Sequence, residues 1–310
     1  MAYLANGASF SRGRVGLTSA AQVVADADGR EQTQHGTPLF PIACYAEDLA
    51  LYSVAWHWHE EFEFILAALG PIHVDVNKTH LTLQTGQGVF VNSGALHAVE
   101  PSEGRAMLHS GVFQPRLVGG MDTIFWQKLV RPLLQPGAPP FFLLDEAVPW
   151  QRQVLVYLRE AWKGVADEPF DYENWVRYHL TSALRLLSIQ CVGGKVQVSE
   201  QEQIASERMK QMLRYVEEHY AEELTVAKIA DCVALSESAC LRSFRQFLGI
   251  TPILYVKQFR VEKAAELLRT TRLKTGEIGL ECGFSDGSYF IKTFREIKHC
   301  TPREYRIRFC

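Results

Sequence analysis

SACLRSFRQFLGITPILY at 238–255 and SYFIKTFREIKHCTPREY at 288–305 align without a gap at an offset of 50 residues. Ser238/Ser288, Phe244/Phe294, Arg245/Arg295, Thr251/Thr301, Pro252/Pro302 and Tyr255/Tyr305 are identical, while Arg242/Lys292 and Ser243/Thr293 keep their chemistry. One supersecondary unit has been used twice. In the first copy, spanning about 225–248, Thr225 is placed to cap a short helix and Ala234-Leu235 to turn the chain. Ser236 then caps a second helix that ends at Gly249, and Thr251-Pro252 starts another. In the second copy, about 275–298, Thr275 opens the first helix, Gly283 makes the turn and Ser285 or Asp286 caps the second. Small Ala230 and Gly279 fall where paired helices must approach closely.

A helix, a tight turn and a second helix is the plan that places the second helix in the DNA major groove. A plain helical bundle would also explain Phe244, Phe247, Phe294 and Ile297, which are assigned to the core. The doubled basic positions favour DNA. The candidate contacts are Ser236, Ser238, Arg242, Arg245, Ser288, Lys292 and Arg295. Charge points the same way: residues 1–200 carry 14 Lys and Arg against 20 Asp and Glu, whereas residues 236–310 carry 14 against 8. A basic quarter in an acidic chain is the footprint of a module that meets a polyanion.

On these residues the segment from about 208 to 308 resembles the AraC/XylS family DNA-binding domain, and GFSDGSYFIKTFREIKHCTPREYR at 283–306 is the most family-like part. The resemblance implies two helix-turn-helix subdomains joined by the long helix PILYVKQFRVEKAAELL at 252–268. It also implies two recognition helices in successive major grooves, with Arg242 and Lys292 as groove contacts. The sequence departs from the family at Gly287, where a larger polar residue is usual.

Upstream, HWHEEFEFILAALG at 57–70 alternates His57, His59, Glu61 and Glu63 with Trp56, Trp58, Phe62 and Phe64. Period two reads as one strand with a polar and an aromatic face, the tryptophans bracing a β-barrel against helices. Further alternating runs between about Phe40 and Phe113, broken by Gly70-Pro71, Asn77-Lys78, Gly86-Gln87-Gly88 and Ser93-Gly94, predict a small antiparallel barrel or sandwich over 37–115. Residues 1–36 read as a flexible arm and 193–206 as a linker. The region 116–192 reads as helical, with Val154, Leu155, Leu158 and Trp162 on one apolar face and Val176, Leu180, Ala183, Leu184 and Leu187 on another. Those faces suit either capping of the barrel or a homodimer seam. Seven cysteines without a CxxC pair fit reduced thiols. The chain lacks an apolar run of bilayer length and a signal-peptide core, so a cytoplasmic protein without membrane partners is expected.

The same stretch resembles the first cupin motif from its HXH onward, through His57, His59, Glu63 and Gly70. GQGVFVNSGALH at 86–97 resembles the second, with Gly86, Gly94 and His97 in place and Asn92 where proline is usual. In cupin enzymes the matching residues hold a divalent metal, for which three imidazoles and a carboxylate suit iron, manganese, zinc or nickel. In AraC-like regulators the cupin-like domain commonly binds a small effector. His57, His59, Glu63 and His97 are therefore open to three readings: a metal site, a direct effector pocket, or hydrogen-bonded structural groups.

The expected fold is an α+β multidomain chain, a cupin-like β-barrel with two trailing helices followed by an all-α double helix-turn-helix. The expected function is a non-enzymatic transcriptional regulator of double-stranded DNA with no certain cofactor, responding to a small molecule for which a sugar leads. A homodimer is expected, as is RNA polymerase as a partner if the protein activates. The alternative is a metal-dependent cupin oxygenase or isomerase fused to a DNA-binding domain.

Overall fold

The structure, a computed structural model, describes residues 34–50, 53–100, 102, 104–192 and 199–309. The arm expected over 1–36 lies outside the described residues up to position 33. Its last residues are docked: His35 is buried, with Nδ1 hydrogen-bonded to the Tyr45 hydroxyl at 2.7 Å.

Nine strands form two antiparallel sheets among the described residues. The first sheet, in the order β1-β8-β3-β6-β9, comprises β1 (Ile42–Asp48), β8 (Met107–Phe113), β3 (Phe62–Leu69), β6 (Gly88–Val91) and β9 (Phe141–Leu144). The second, β2-β7-β4-β5, comprises β2 (Val54–His57), β7 (His97–Val99), β4 (Ile72–Val76) and β5 (Thr79–Leu83). Ile65 and Ala67 of β3, Val89 and Val91 of β6, Ile72, Val74 and Val76 of β4 and Val99 of β7 share one buried core between the sheets. Of the expected antiparallel barrel or sandwich, the structure is the two-sheet sandwich: the sheets do not close into a barrel, and β1, β9, β2 and β5 lie at the edges.

The single strand expected through 57–70 is also corrected. The chain bends at 59–61 and passes from one sheet to the other, so the histidines and Glu63 approach from opposite sides. Alternation on β3 then sends Phe62, Phe64 and Leu66 outward, where they pack beneath α2 (Pro149–Asp167) and α3 (Tyr172–Val192). Val154, Leu155, Leu158, Val176, Leu180, Ala183, Leu184 and Leu187 bury that same core, so the anticipated apolar faces are used in capping. Trp56 and Trp58 brace no trailing helix; both pack on the core of the first C-terminal helical unit. The helical reading of 116–192 missed β9, which extends the first sheet beyond the short α1 (Arg131–Leu134).

The expected linker is shorter than 193–206, because α4 (Glu200–His219) begins within it. Ser199 accepts the Glu202 backbone N–H while the Glu202 carboxylate accepts that of Ser199, a capping box that satisfies two orphan donors. After α4 come α5 (Val226–Asp231), α6 (Glu237–Leu248), α7 (Pro252–Thr270), α8 (Thr275–Glu281), α9 (Gly287–Lys298) and α10 (Pro302–Phe309). Thr225, Ser236, Thr251 and Asp286 cap as their sequence positions require, each contributing about 1 kcal/mol. Thr275 is the first residue of α8, as expected, and Lys274 holds the N-cap position without a side-chain cap hydrogen bond. The connecting helix α7 gives Tyr255 and Val256 to the first unit and Val261, Ala264, Ala265 and Leu268 to the second. A side chain on Gly279 would begin 2.8 Å from Phe290 Cδ1, so the close approach of α8 and α9 requires glycine.

Candidate functional site

The bend at 59–61 and the β2–β7 pairing assemble the first site. His57 and His97 are register partners, with ring centroids 4.2 Å apart, and His59 follows just past the end of β2. Glu63 reaches in from β3. One ligand atom from each of the four lies within 4.8 Å of every other, and the residues are only 4%, 2%, 7% and 1% exposed in the order His57, His59, Glu63, His97. The four residues singled out in the sequence thus converge, although the sheet crossing that brings them together was unforeseen.

Hydrogen bonding fixes the imidazole tautomers. His57 Nδ1 lies 2.9 Å from the Ala55 carbonyl, His59 Nδ1 3.2 Å from that of Glu61 and His97 Nδ1 2.8 Å from that of Ala95. A carbonyl oxygen only accepts, so Nδ1 carries the hydrogen and the neutral ring presents a lone pair at Nε2. His97 Nε2 and His59 Nε2 stand 2.8 and 3.3 Å from one carboxylate oxygen, Glu63 Oε2. A lone pair facing a carboxylate is repulsive, so the arrangement calls for a proton on Nε2 or a cation among the four groups. Burial pushes the Glu63 carboxyl up, but hydrogen bonds from His59 and His97 and their charge outweigh it and hold the group well below the usual carboxylate range. For bonds of about 2.0–2.2 Å, ligand atoms around one tetrahedral cation stand roughly 3.3–3.6 Å apart, so a cation among groups that lie within 4.8 Å of one another would draw them slightly together.

Two neighbours, His35 and Asn92, had no role assigned from the sequence. His35 stands against His59, ring centroids 6.0 Å apart, and closes one side of the site. Asn92, at the usual proline position, donates through Nδ2 to the Leu133 carbonyl at 2.7 Å and the Pro139 carbonyl at 3.0 Å. It ties the loop before β9 to the site, a task proline lacks the donor to perform.

The second site is the pair of repeated helices. On α6, Ser238, Arg242 and Arg245 are exposed, while Cys240, Phe244, Phe247 and Leu248 are buried. On α9, Ser288, Lys292 and Arg295 are exposed opposite Phe290, Thr293 and Phe294. The i, i+4, i+7 spacing makes one polar stripe on each helix. Ser236 is exposed at the start of α6 and its hydroxyl also caps Ala239 N–H at 3.3 Å. Ile291, 44% exposed on α9 beside that stripe, was missed, since apolar residues in amphipathic helices read as core.

A sandwich carrying a buried cluster of three histidines and a glutamate, joined to a duplicated helix-turn-helix with basic exposed faces, defines the class: a DNA-associated protein with a candidate ligand site. The AraC-like ligand binding domain family matches residues 39–138, and the helix-turn-helix domain family matches 229–308. The chain is 30% identical over 288 residues to the uncharacterized HTH-type transcriptional regulator YdeC of Bacillus subtilis strain 168, covering 91% of this chain and 97% of that one. It is 27% identical to the HTH-type transcriptional activator RhaS of Escherichia coli O81 strain ED1a, over 81% and 86% of the two chains. A solved AraC-type DNA-binding domain-containing regulator from Chromobacterium violaceum is 33% identical over 34% of this chain and 95% of its own, with a TM-score of 0.33. The chain belongs to the AraC/XylS family and is a DNA-binding transcriptional regulator with a ligand-binding domain. Among the described residues no helix is long and apolar enough to cross a membrane.

Proposed function

We propose that this regulator senses through a divalent transition-metal ion held by His57, His59, Glu63 and His97, and reads DNA with α6 and α9. The observation that carries the metal reading is that backbone carbonyls hold all three Nδ1 atoms, which turns three Nε2 atoms toward one buried carboxylate. Backbone carbonyls that orient ligating imidazoles are the usual outer support of a metal site. A bound cation would meet the Glu63 carboxylate where the chain crosses from one sheet to the other. His57, His59 and His97 hold their rings in place through the carbonyl bonds, and Glu63 supplies the one negative charge.

A directly bound small effector, for which a sugar was favoured, rests on the family resemblance; the closeness and burial of the four groups favour an ion at the cluster itself. Against the enzyme alternative, the relatives are named as transcriptional regulators. Activation, with RNA polymerase as partner, is supported by the likeness to a protein named an activator. Dimerisation is supported by Trp175, Tyr178 and Ile189, which α3 leaves exposed after capping the sheet.

On DNA, Arg242 and Lys292 are assigned the base edges, while Ser236, Ser238, Arg245, Ser288 and Arg295 flank them toward the phosphates. Metal content of the purified chain after equilibration with zinc, nickel, manganese or iron, alongside binding to duplexes selected from a random pool, tests both halves. One ion per chain and loss of selective binding in Arg242→Ala and Lys292→Ala are expected. A metal-free chain, or variants that bind selected DNA as the wild type does, would refute the corresponding half.

A further inference from the structure

The strands that present the histidines present something else on their other side. Trp56 and Trp58 alternate with His57 and His59, and Leu96 precedes His97. Leu96 is fully buried in the core made by Met209, Met212, Leu213 and Val216 of α4 together with Phe244 and Phe247 of α6, and both tryptophans pack against that core. The hydrogen bonds described above bracket these same residues: the His57 ring reaches back across Trp56 to the Ala55 carbonyl, and the His97 ring reaches back across Leu96 to the Ala95 carbonyl. A displacement of either ring therefore pulls on the peptide units that carry the packed side chain.

Polar contacts continue the seam. Lys210 Nζ of α4 lies 4.7 Å from the Trp58 ring centroid. The Ser206 hydroxyl donates to Asn77 Oδ1 at 3.4 Å, and Asn77 N–H donates to the Leu96 carbonyl at 2.8 Å. The adjacent Lys78 places Nζ 4.9 Å from the ring centroid of Phe247, near the C-terminal end of α6. The turn that follows β4 thus touches the helix assigned to the first major groove.

Resting on the metal reading above, we propose that the cluster reports its occupancy to the DNA-binding half through Trp56, Trp58 and Leu96. Binding of a divalent cation draws His57, His97 and Glu63 toward one centre, and the shift passes one residue along β2 and β7 into the core beneath α6. An ion can alter DNA affinity only by preferring one of two arrangements of this seam, and couplings of this kind change affinity by about 5- to 150-fold.

The test uses the full chain, zinc, a chelator and a duplex selected by the protein from random sequence. Zinc stoichiometry and the ratio of DNA dissociation constants with and without zinc are measured separately for the wild type, Leu96→Ala, and the milder Lys210→Ala and Trp58→Phe. In the wild type the ratio should depart from one by at least about 5-fold. In Leu96→Ala it should fall to within about 2-fold of one while one zinc per chain is retained, with Lys210→Ala and Trp58→Phe intermediate. If Leu96→Ala does not fold, Lys210→Ala decides, and a ratio unchanged from the wild type overturns the proposal. A wild-type ratio of one with zinc bound also overturns it. A wild type that takes up no zinc, nickel, manganese or iron refutes the metal reading instead. The seam is still judged in that case, because unaltered DNA affinity in all three variants would refute any restraint by the sensory half.

Discussion

Removing or supplying the metal should move the melting temperature of the sensory domain by an amount set by how much structure the cluster holds together. The four candidate ligands come from β2 and the bend that follows it, from β3 and from β7, and β3 also carries Phe62 and Phe64 into the core under α2 and α3. Sandwich and capping helices, residues 39–192, should therefore share the stabilisation. An ion that binds only the folded state adds about 2.7 kcal/mol at one hundred times its dissociation constant. In a unit of this size each kcal/mol raises the melting temperature by about 2–4 °C, so zinc at that excess should raise it by roughly 5–11 °C. Calorimetry of the chelated and zinc-loaded full chain reads the shift directly. Glu63→Gln, which keeps the shape and removes the charge, and His97→Ala, which removes one donor, should each lose most of it. An equal shift in wild type and both variants would show that zinc binds elsewhere, and the absence of any shift at saturating zinc would refute the cluster as a metal site.

The DNA half makes its own predictions. Arg242→Ala should cost on the order of 1–3 kcal/mol and relax preference at one base pair, as measured on operator variants at fixed salt. Lys292→Ala should act one helical turn away, or weaken every sequence alike if it meets phosphate, which the salt slope separates. Exposed Ile291 offers an apolar side chain for a thymine methyl, and on that assignment replacing thymine by uracil in the second half-site should weaken the wild type and leave Ile291→Ala unaffected. Gly279→Val should overpack Phe290, whose ring stands 2.8 Å from the added carbon, and lower stability by about 1–3 kcal/mol in denaturant titration. A fragment beginning at Ser199, which keeps the α4 capping box, should bind DNA with no response to metal; a metal-responsive fragment would refute the assignment of sensing to the first half.

The duplicated unit was legible in detail because two copies corroborate each other and because caps are local chemistry. Thr225, Ser236 and Thr251 lie where side-chain oxygens must meet orphan N–H groups. The copies still differ in their turns: Ala234 and Gly283, the positive-φ residues, are 49 apart while the caps Ser236 and Asp286 are 50 apart, so the second turn is one residue longer. The gapless alignment began beyond that point and did not register it. The four residues of the cluster were legible by type and spacing, but not the bend that joins them, because alternation runs unbroken through His59, Glu61 and Glu63 while the pairing partner changes. Partner choice is a long-range property. For the same reason the role of Trp56 and Trp58 was misassigned: period two shows that they oppose the histidines, and only tertiary packing shows against what. Strand β9 is a four-residue run behind Pro139-Pro140, too short for its period to show. The start of α4 was readable, since Ser199 and Glu202 form a capping-box signature, but the polar composition of 199–206 masked it.

The claim that the two repeated helices read DNA together is tested most directly by footprinting the full chain on a selected duplex, combining methylation protection with hydroxyl-radical cleavage. The account predicts two protected major-groove segments about one helical turn, roughly 34 Å, apart on the same face of the DNA, with Arg242→Ala clearing one and Lys292→Ala the other. Protection of a single groove, or of two segments on opposite faces, would contradict it.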